Sequence, residues 1–164
     1  MAVSNLEIYF LQLVNRSRAE AGLAPLVYDA ELDAAAENHT VWMDQTDIFD
    51  HTGEGSSSPG GRITAAGYDW MGWAENIAQR PLSDPNAALD QATVDQLHLQ
   101  LMNSPGHRAN ILDPNLTEIG IGLHQGFFNW PGMGLLPTAF VTGVFGIPTA
   151  AEAAEADKGL QLFG

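Results

Sequence analysis

The sequence predicts an α+β domain in which helices come first and paired strands come last. Apolar residues recur every three or four positions through most of the first two thirds of the chain, as on the buried face of a helix. Residues 117–123 and 138–145 are instead rich in β-branched and aromatic side chains, which favour strands. A chain of 164 residues is long enough to bury a single core without disulfides.

Two long helices are predicted in the first third of the chain. Ser4 and Glu7 have the spacing of a capping box, so the first helix begins after Ser4, and Gly22 ends it. Asp29 is a good N-cap for the second helix, which we expect to stop near Phe49. The inward stripe of the second helix is expected to include Leu32, Ala35, Ala36, His39 and Met43.

Shorter elements follow in the middle of the chain. Residues 59–66 predict a short helix that Gly67 closes, and residues 73–78 read as an extended segment. A third long helix begins near Leu89 and ends at Asn103. The next short helix starts at once, because Ser104 suits its N-cap position and proline follows as the first helical residue.

The last third contains two strands and a tail. Residues 117–123 and 138–145 are expected to pair, with the turn-forming residues 129–134 between them. The Ala/Glu-rich segment after Pro148 is typical of a linker or a frayed helix. We therefore assign residues 1–148 to the domain and 149–164 to a tail or linker.

Composition excludes several classes of function. The formal charge of −14, from 20 acidic and 6 basic residues, would repel nucleic acid. The absence of cysteine rules out disulfides, thiolate metal sites and a cysteine nucleophile. No run approaches 18 apolar residues, so no membrane span is expected, and the first residues lack the pattern of a secretory signal.

Three side chains with metal-binding chemistry lie where elements begin or end. His51 follows the second helix, Glu75 lies in the extended segment, and His107 is the third residue of its helix, where the positive end of the dipole favours a neutral imidazole. Two imidazoles and a carboxylate could ligate Zn²⁺ and leave a position for water. No two of these residues have the spacing of a zinc motif on one helix. The alternative to a metal site is that His107 is an incidental histidine at a capped helix start.

Other polar residues receive structural interpretations. His39 lies on an apolar stripe and is expected to be a core or boundary residue with its polar atoms satisfied, and His98 is expected to point outward. Ser104 lies near His107 but lacks the Gly-x-Ser-x-Gly elbow of a serine hydrolase, so its hydroxyl is expected to cap the helix.

Several motifs occur in a fixed order and carry a family resemblance. They are Leu-Val-Asn-Arg-Ser-Arg at 13–18, Phe-Asp-His-Thr-Gly at 49–53, Ala-Glu-Asn-Ile-Ala at 74–78, Asn-Ser-Pro-Gly-His-Arg-Ala-Asn-Ile-Leu at 103–112 and Glu-Ile-Gly-Ile-Gly at 118–122. With these motifs the chain resembles the CAP superfamily of cysteine-rich secretory, antigen 5 and pathogenesis-related-1 proteins, and especially its bacterial SCP-like members. The resemblance implies a three-layer α-β-α sandwich with a central antiparallel sheet and a large cleft.

The resemblance also implies a site in that cleft. The family commonly carries two histidines and two glutamates there, which bind Zn²⁺ or another divalent cation in some members. His51 and His107 match the histidines, and Glu75 matches one glutamate. Leu101 and Ser104 stand at the comparable places for the second glutamate, so the implied site has three protein groups completed by water.

The function implied is that of an SCP-like extracellular or cell-envelope domain. Its cleft is expected to bind a small-molecule or lipid ligand, with a divalent cation as the candidate cofactor, and no one catalytic activity extends across the fold. One alternative is a metal-dependent hydrolase or peptidase with Glu75 as general base. Another is an interaction module with neighbouring domains in a longer chain.

Overall fold

The computed structural model of the protein describes residues 3–84, 86 and 88–161. Its helices are α1 (Asn5–Glu20), α2 (Ala30–Thr46), α3 (Pro59–Ala66), α4 (Gln91–Met102), α5 (Pro105–Ile111) and α6 (Ala150–Gln161). Its strands are β1 (Val27–Tyr28), β2 (Trp70–Pro81), β3 (Glu118–Trp130) and β4 (Gly134–Pro148), and a 3₁₀ turn spans Glu54–Ser56.

A mostly antiparallel sheet of four strands forms the centre of the fold, in the order β1-β3-β4-β2. β3 and β4 form one long hairpin, paired from Glu118 with Gly146 to Trp130 with Gly134. β2 runs antiparallel along the other side of β4. The short β1 adds a parallel pair at the far edge, next to β3.

Helices cover both faces of this sheet. α2 and α3 lie on one face, where Leu32, Ile63 and Val144 are buried together. α1, α4 and α5 lie on the other face and bury a larger core that includes Phe10 and Ile119. The predicted α+β fold and its α-β-α layering are confirmed.

Glycines in β3 allow α2 to lie directly on the sheet. A Cβ at Gly120 would lie 2.0 Å from the backbone nitrogen of Asp33, and a Cβ at Gly122 would lie 2.5 Å from the carbonyl oxygen of Ala36. These contacts involve helix backbone, which cannot move aside as a flexible side chain can. The Glu-Ile-Gly-Ile-Gly motif therefore sets the spacing of two layers.

Predicted helix starts are confirmed where a side chain caps the backbone. The capping box of Ser4 and Glu7 is present, and the Asp29 carboxylate accepts from the first turn of α2. Ser104 stands at the N-cap of α5, but its hydroxyl makes no capping hydrogen bond, so that expectation was wrong.

Three other expectations need correction or extension. His98 does not point outward: it is partly buried, with Nε2 3.2 Å from the Ser17 hydroxyl and its ring in a T-shaped contact with Phe10. Both strands of the hairpin extend further than predicted, since cross-strand pairing continues to the turn after Trp130. The Ala/Glu-rich tail forms α6, whose Glu152 accepts a hydrogen bond from the Asp69 amide.

No helix in the described ranges is both long and apolar enough to cross a membrane.

Candidate functional site

A buried carboxylate, an arginine and a histidine meet on the α2 and α3 side of the sheet. β2 presents Glu75 toward this layer. His51 comes from the segment after α2, and Arg62 comes from α3. The three side chains form what we call the Glu75 cluster.

Both oxygens of Glu75 are used within this cluster. Oε1 lies 2.8 Å from His51 Nδ1, and Oε2 accepts a hydrogen bond of 2.6 Å from Arg62 Nη2. The Glu75 side chain is 1% exposed and that of Arg62 12%, whereas that of His51 is 50% exposed. A buried charge needs a partner of opposite sign, and the arginine supplies it from within the chain.

Arg62 also holds the segment that carries His51. Its Nη1 donates to the carbonyl oxygens of His51 at 3.0 Å and Ser57 at 3.1 Å. The hydrogen bond to Glu75 raises the pKa of His51 against the opposing effect of burial. The cluster therefore favours a protonated ring at a partly exposed position.

The residue after Glu75 holds the segment that carries His107. Asn76 points to the opposite face of β2, where its Nδ2 donates to the backbone oxygen of His107 at 2.9 Å. Its Oδ1 accepts from Asn110 Nδ2 at 2.8 Å. Glu75 and Asn76 are adjacent in one motif, and they contact the segments of His51 and His107 on opposite faces of β2.

His107 is the third residue of α5, as predicted. Burial lowers its pKa, and the nearby His51 ring lowers it further. The expected neutral imidazole agrees with this direction, although burial and not the helix end is the main cause.

The Glu75 cluster does not fit a metal ion as it is arranged. Among the residues that the structure describes, no group of three or more His, Cys, Asp or Glu lies close enough together to hold one. Both oxygens of Glu75 already accept hydrogen bonds, and the guanidinium beside them would repel a cation. Zinc binding by His51, Glu75 and His107 stays a prediction.

A groove of about 1080 Å³ opens between α2 and α3. Arg62 lines it and joins it to the Glu75 cluster, while His51, Glu75 and His107, all in the described part of the chain, are not among its lining residues. The walls combine small apolar residues with polar ones: Ala34, Ala35, Glu37, Asn38, His39, Val41, Trp42, Gln45, Thr46, Glu54, Ser57, Gly61, Arg62, Ala65 and Ala66.

Sequence reasoning missed two members of this region. His39 is buried as expected, at 1% exposure, but it lines the groove and its Nδ1 has no hydrogen-bond partner among the described residues, so the expectation that its polar atoms are satisfied was wrong. Arg62 was not singled out, although one signal was available: it is the only arginine or lysine between Arg18 and Arg80. An isolated cation in an acidic chain is a candidate partner for a buried carboxylate.

Comparison with known proteins points to one family. Residues 11–130 match the family described as CAP, the cysteine-rich secretory protein family. The uncharacterised protein YkwD of Bacillus subtilis is 33% identical over 129 residues, which are 79% of this chain and 46% of YkwD. The chain therefore spans less than half of this relative.

Solved structures share the fold at lower identity. An extracellular SCP-domain protein from Bacillus anthracis superimposes with a TM-score of 0.65 at 23% identity, over 86% of this chain and 40% of that one. An outer surface protein of Borrelia burgdorferi also gives a TM-score of 0.65, at 15% identity, over 91% of this chain and 97% of that one. At these identities the likeness establishes the fold alone.

Proposed function

The chain belongs to the CAP family, the cysteine-rich secretory protein family, and from that premise we propose that it is a binding domain without catalytic activity whose ligand lies between α2 and α3. The observation that carries this proposal is the groove of about 1080 Å³. Small-molecule pockets usually enclose roughly 300–1,000 Å³, so the groove has room for a small molecule or a lipid chain.

The cluster beside the groove supports binding more than turnover. The Glu75 side chain is 1% exposed and its two oxygens are paired with His51 and Arg62, so water has little access to it as a base. A fully paired carboxylate stabilises the groove wall through Arg62. This is the role expected of a group that positions a binding surface.

The proposed location is outside the cell or in the cell envelope. This rests on family membership and on the Bacillus anthracis relative, which is an extracellular protein. We also propose that the chain works beside other domains, because it spans 46% of YkwD.

The binding proposal is tested by filling the groove. Ala65 is exposed on α3 and lines the groove, so Ala65→Trp would occupy it. Ala19→Trp is the matched control, because Ala19 is exposed on α1 in the opposite layer. Maltotriose, 1-octanol and octanoate would be added in turn to the ¹⁵N-labelled domain.

The expected result is saturable amide shifts in α2 and α3 with at least one probe. These shifts should disappear in Ala65→Trp and persist in Ala19→Trp. Shifts that survive in Ala65→Trp, or that map to α1 and α4, would place the ligand elsewhere and reject the proposal.

One observation favours a hydrolase as a second candidate. A buried carboxylate bound to Nδ1 of a half-exposed histidine resembles the base and orienting acid of a catalytic triad. In this version His51, and not Glu75, is the general base, and Glu75 orients it.

Hydrolysis of 4-nitrophenyl acetate and casein tests this candidate. The binding proposal predicts no turnover above the His51→Gln variant. Turnover that depends on both His51 and Glu75 would reject the binding proposal in favour of a hydrolase. Zn²⁺-dependent cleavage that Glu75→Gln abolishes would identify Glu75, and not His51, as the general base.

A further inference from the structure

Three buried polar atoms lie beside the groove without a hydrogen-bond partner among the described residues. They are His39 Nδ1, Ser57 Oγ and Arg62 Nε. Their side chains surround Gly53: a Cβ built there would lie 3.0 Å from His39 Nδ1, 3.0 Å from Ser57 Oγ and 2.9 Å from Arg62 Nη1. Buried polar groups are nearly always paired, so unpaired atoms on three side chains that converge on Gly53 and line the groove indicate a binding position for a polar group from outside the chain.

The hydrogen-bonding roles of these atoms are settled by their other contacts. His39 Nε2 lies 2.9 Å from the Asp50 carbonyl oxygen, which only accepts, so Nε2 carries the proton. Burial lowers the pKa of His39, which keeps the ring neutral and leaves Nδ1 as an acceptor. Arg62 Nε can only donate, and the Ser57 hydroxyl can do either.

A single hydroxyl group has the donor and acceptor roles that all three atoms require. It donates its proton to His39 Nδ1, and its two lone pairs accept from Arg62 Nε and from Ser57. A carboxylate would face the His39 lone pair with another acceptor, and the charge of Arg62 is already paired with Glu75 at 2.6 Å. An ammonium group would lie beside the guanidinium, so both charged classes are disfavoured.

The wall beside these atoms favours a ring that carries several hydroxyls. Trp42 lines the groove and stacks on His39, with centroids 5.5 Å apart and planes 12° from parallel. Glu37, Asn38 and Gln45 also line it and offer further donors and acceptors. An apolar aromatic surface bordered by amides and carboxylates suits a sugar, whose ring faces are apolar and whose edges are polar.

We propose that the groove binds a neutral saccharide, with one hydroxyl held by His39, Ser57 and Arg62 and the sugar ring beside Trp42. This rests on the proposed function, because it names the ligand class of the same groove. The net charge of −14 agrees with a neutral ligand, since an anionic polysaccharide would be repelled.

The test uses maltotriose as the saccharide and follows the ¹⁵N signal of His39 Nδ1. 1-Octanol presents a hydroxyl without a sugar ring, whereas octanoate and octylammonium carry opposite charges on the same chain. We expect maltotriose to shift the His39 signal and the charged probes to leave it unchanged.

Ser57→Ala separates binding from folding. Because its hydroxyl has no partner among the described residues, its loss should leave the unfolding temperature unchanged. Loss of one hydrogen bond to the ligand should weaken maltotriose binding roughly three- to tenfold. Ser83→Ala, an exposed change in the segment after β2, is the control and should bind as wild type does.

The outcomes keep the two proposals distinct. Groove shifts with an unchanged His39 signal and unchanged affinity in Ser57→Ala would overturn the hydroxyl site and leave the binding function intact. Binding of 1-octanol without maltotriose would overturn the saccharide class. A lower unfolding temperature in Ser57→Ala without saccharide binding would mean that the three atoms hold structural water. No groove shift with any probe would reject both proposals.

Discussion

Replacing Glu75 with glutamine removes one buried charge at constant shape. The side chain is 1% exposed, and its loss leaves the Arg62 guanidinium, 12% exposed, without a counter-charge. Breaking a buried pair on one side costs about 3–5 kcal/mol. We expect the lower end, about 3 kcal/mol, because Arg62 keeps its two hydrogen bonds to backbone carbonyls. For a chain of this length, that loss corresponds to roughly 6–12 °C in unfolding temperature.

The same change should alter the pH dependence of stability. Glu75 raises the pKa of His51, so His51 stabilises the fold below its unfolded pKa of about 6.5, and this contribution is lost as pH rises through the folded value. In Glu75→Gln the main cause of the raised His51 pKa is lost, while burial and the charge of Arg62 still lower that pKa and the charge of Asp50 still raises it. The pKa values of His39 and His107 are lowered in the fold, so their contributions to stability are lost as pH falls below about 6.5. Without the opposite contribution of His51, the stability of Glu75→Gln should fall more steeply in acid than that of wild type.

Urea unfolding at about pH 6 and about pH 8 measures both effects, and NMR titration follows the His51 pKa. Glu54→Gln is the matched control, since it neutralises an exposed carboxylate that lines the groove and has no ion pair with Arg62 among the described residues. The double variant Arg62→Met with Glu75→Gln should recover part of the loss by removing the unpaired cation. A Glu75→Gln variant within about 0.5 kcal/mol of wild type would refute the reasoning.

Two further variants test the layering that positions the site. Gly120→Ala would place a Cβ 2.0 Å from the Asp33 backbone, so we expect its free energy of unfolding in urea to fall by about 3 kcal/mol or more. Gly106→Ala is the control, because a Cβ there has nothing within 4 Å, and it should be neutral or slightly stabilising. Arg18 is 2% exposed and donates to the carbonyls of residues 24, 111, 113 and 116. Arg18→Met should therefore lower the free energy of unfolding by about 3 kcal/mol. Arg16 is exposed, so Arg16→Met should change stability little. Equal stability within either pair would count against the packing described.

Local patterns predicted where the helices α1 to α5 lie, although α2 ends at Thr46 and not near Phe49. The capping box at Ser4 and Glu7 and the closing Gly67 of α3 lie within one turn of the backbone that they stabilise, so sequence spacing reveals them. Strand lengths could not be predicted from local patterns alone. Val27–Tyr28 is a strand only because it pairs with Glu118 and Ile119, far along the chain.

The candidate site, like the fold, could be predicted from the sequence only in part. Family motifs pointed to His51 and Glu75, which the structure brings to 2.8 Å. They did not reveal Arg62, because its role depends on a buried neighbour 13 residues away in sequence that only folding brings within 2.6 Å. The same applies to His39, where the apolar stripe correctly predicted burial and said nothing of the unpaired Nδ1.

The amino-acid sequence alone determined the layer-forming helices, the paired strands, the acidic charge and the motifs of the family. These depend on periodicity, capping and composition, which are local or additive properties. The tertiary structure decided which groups neutralise Glu75, where the groove opens and which polar atoms beside it lack partners. Those outcomes depend on distances between segments from different elements, and desolvation and pairing energies change steeply over a few ångströms.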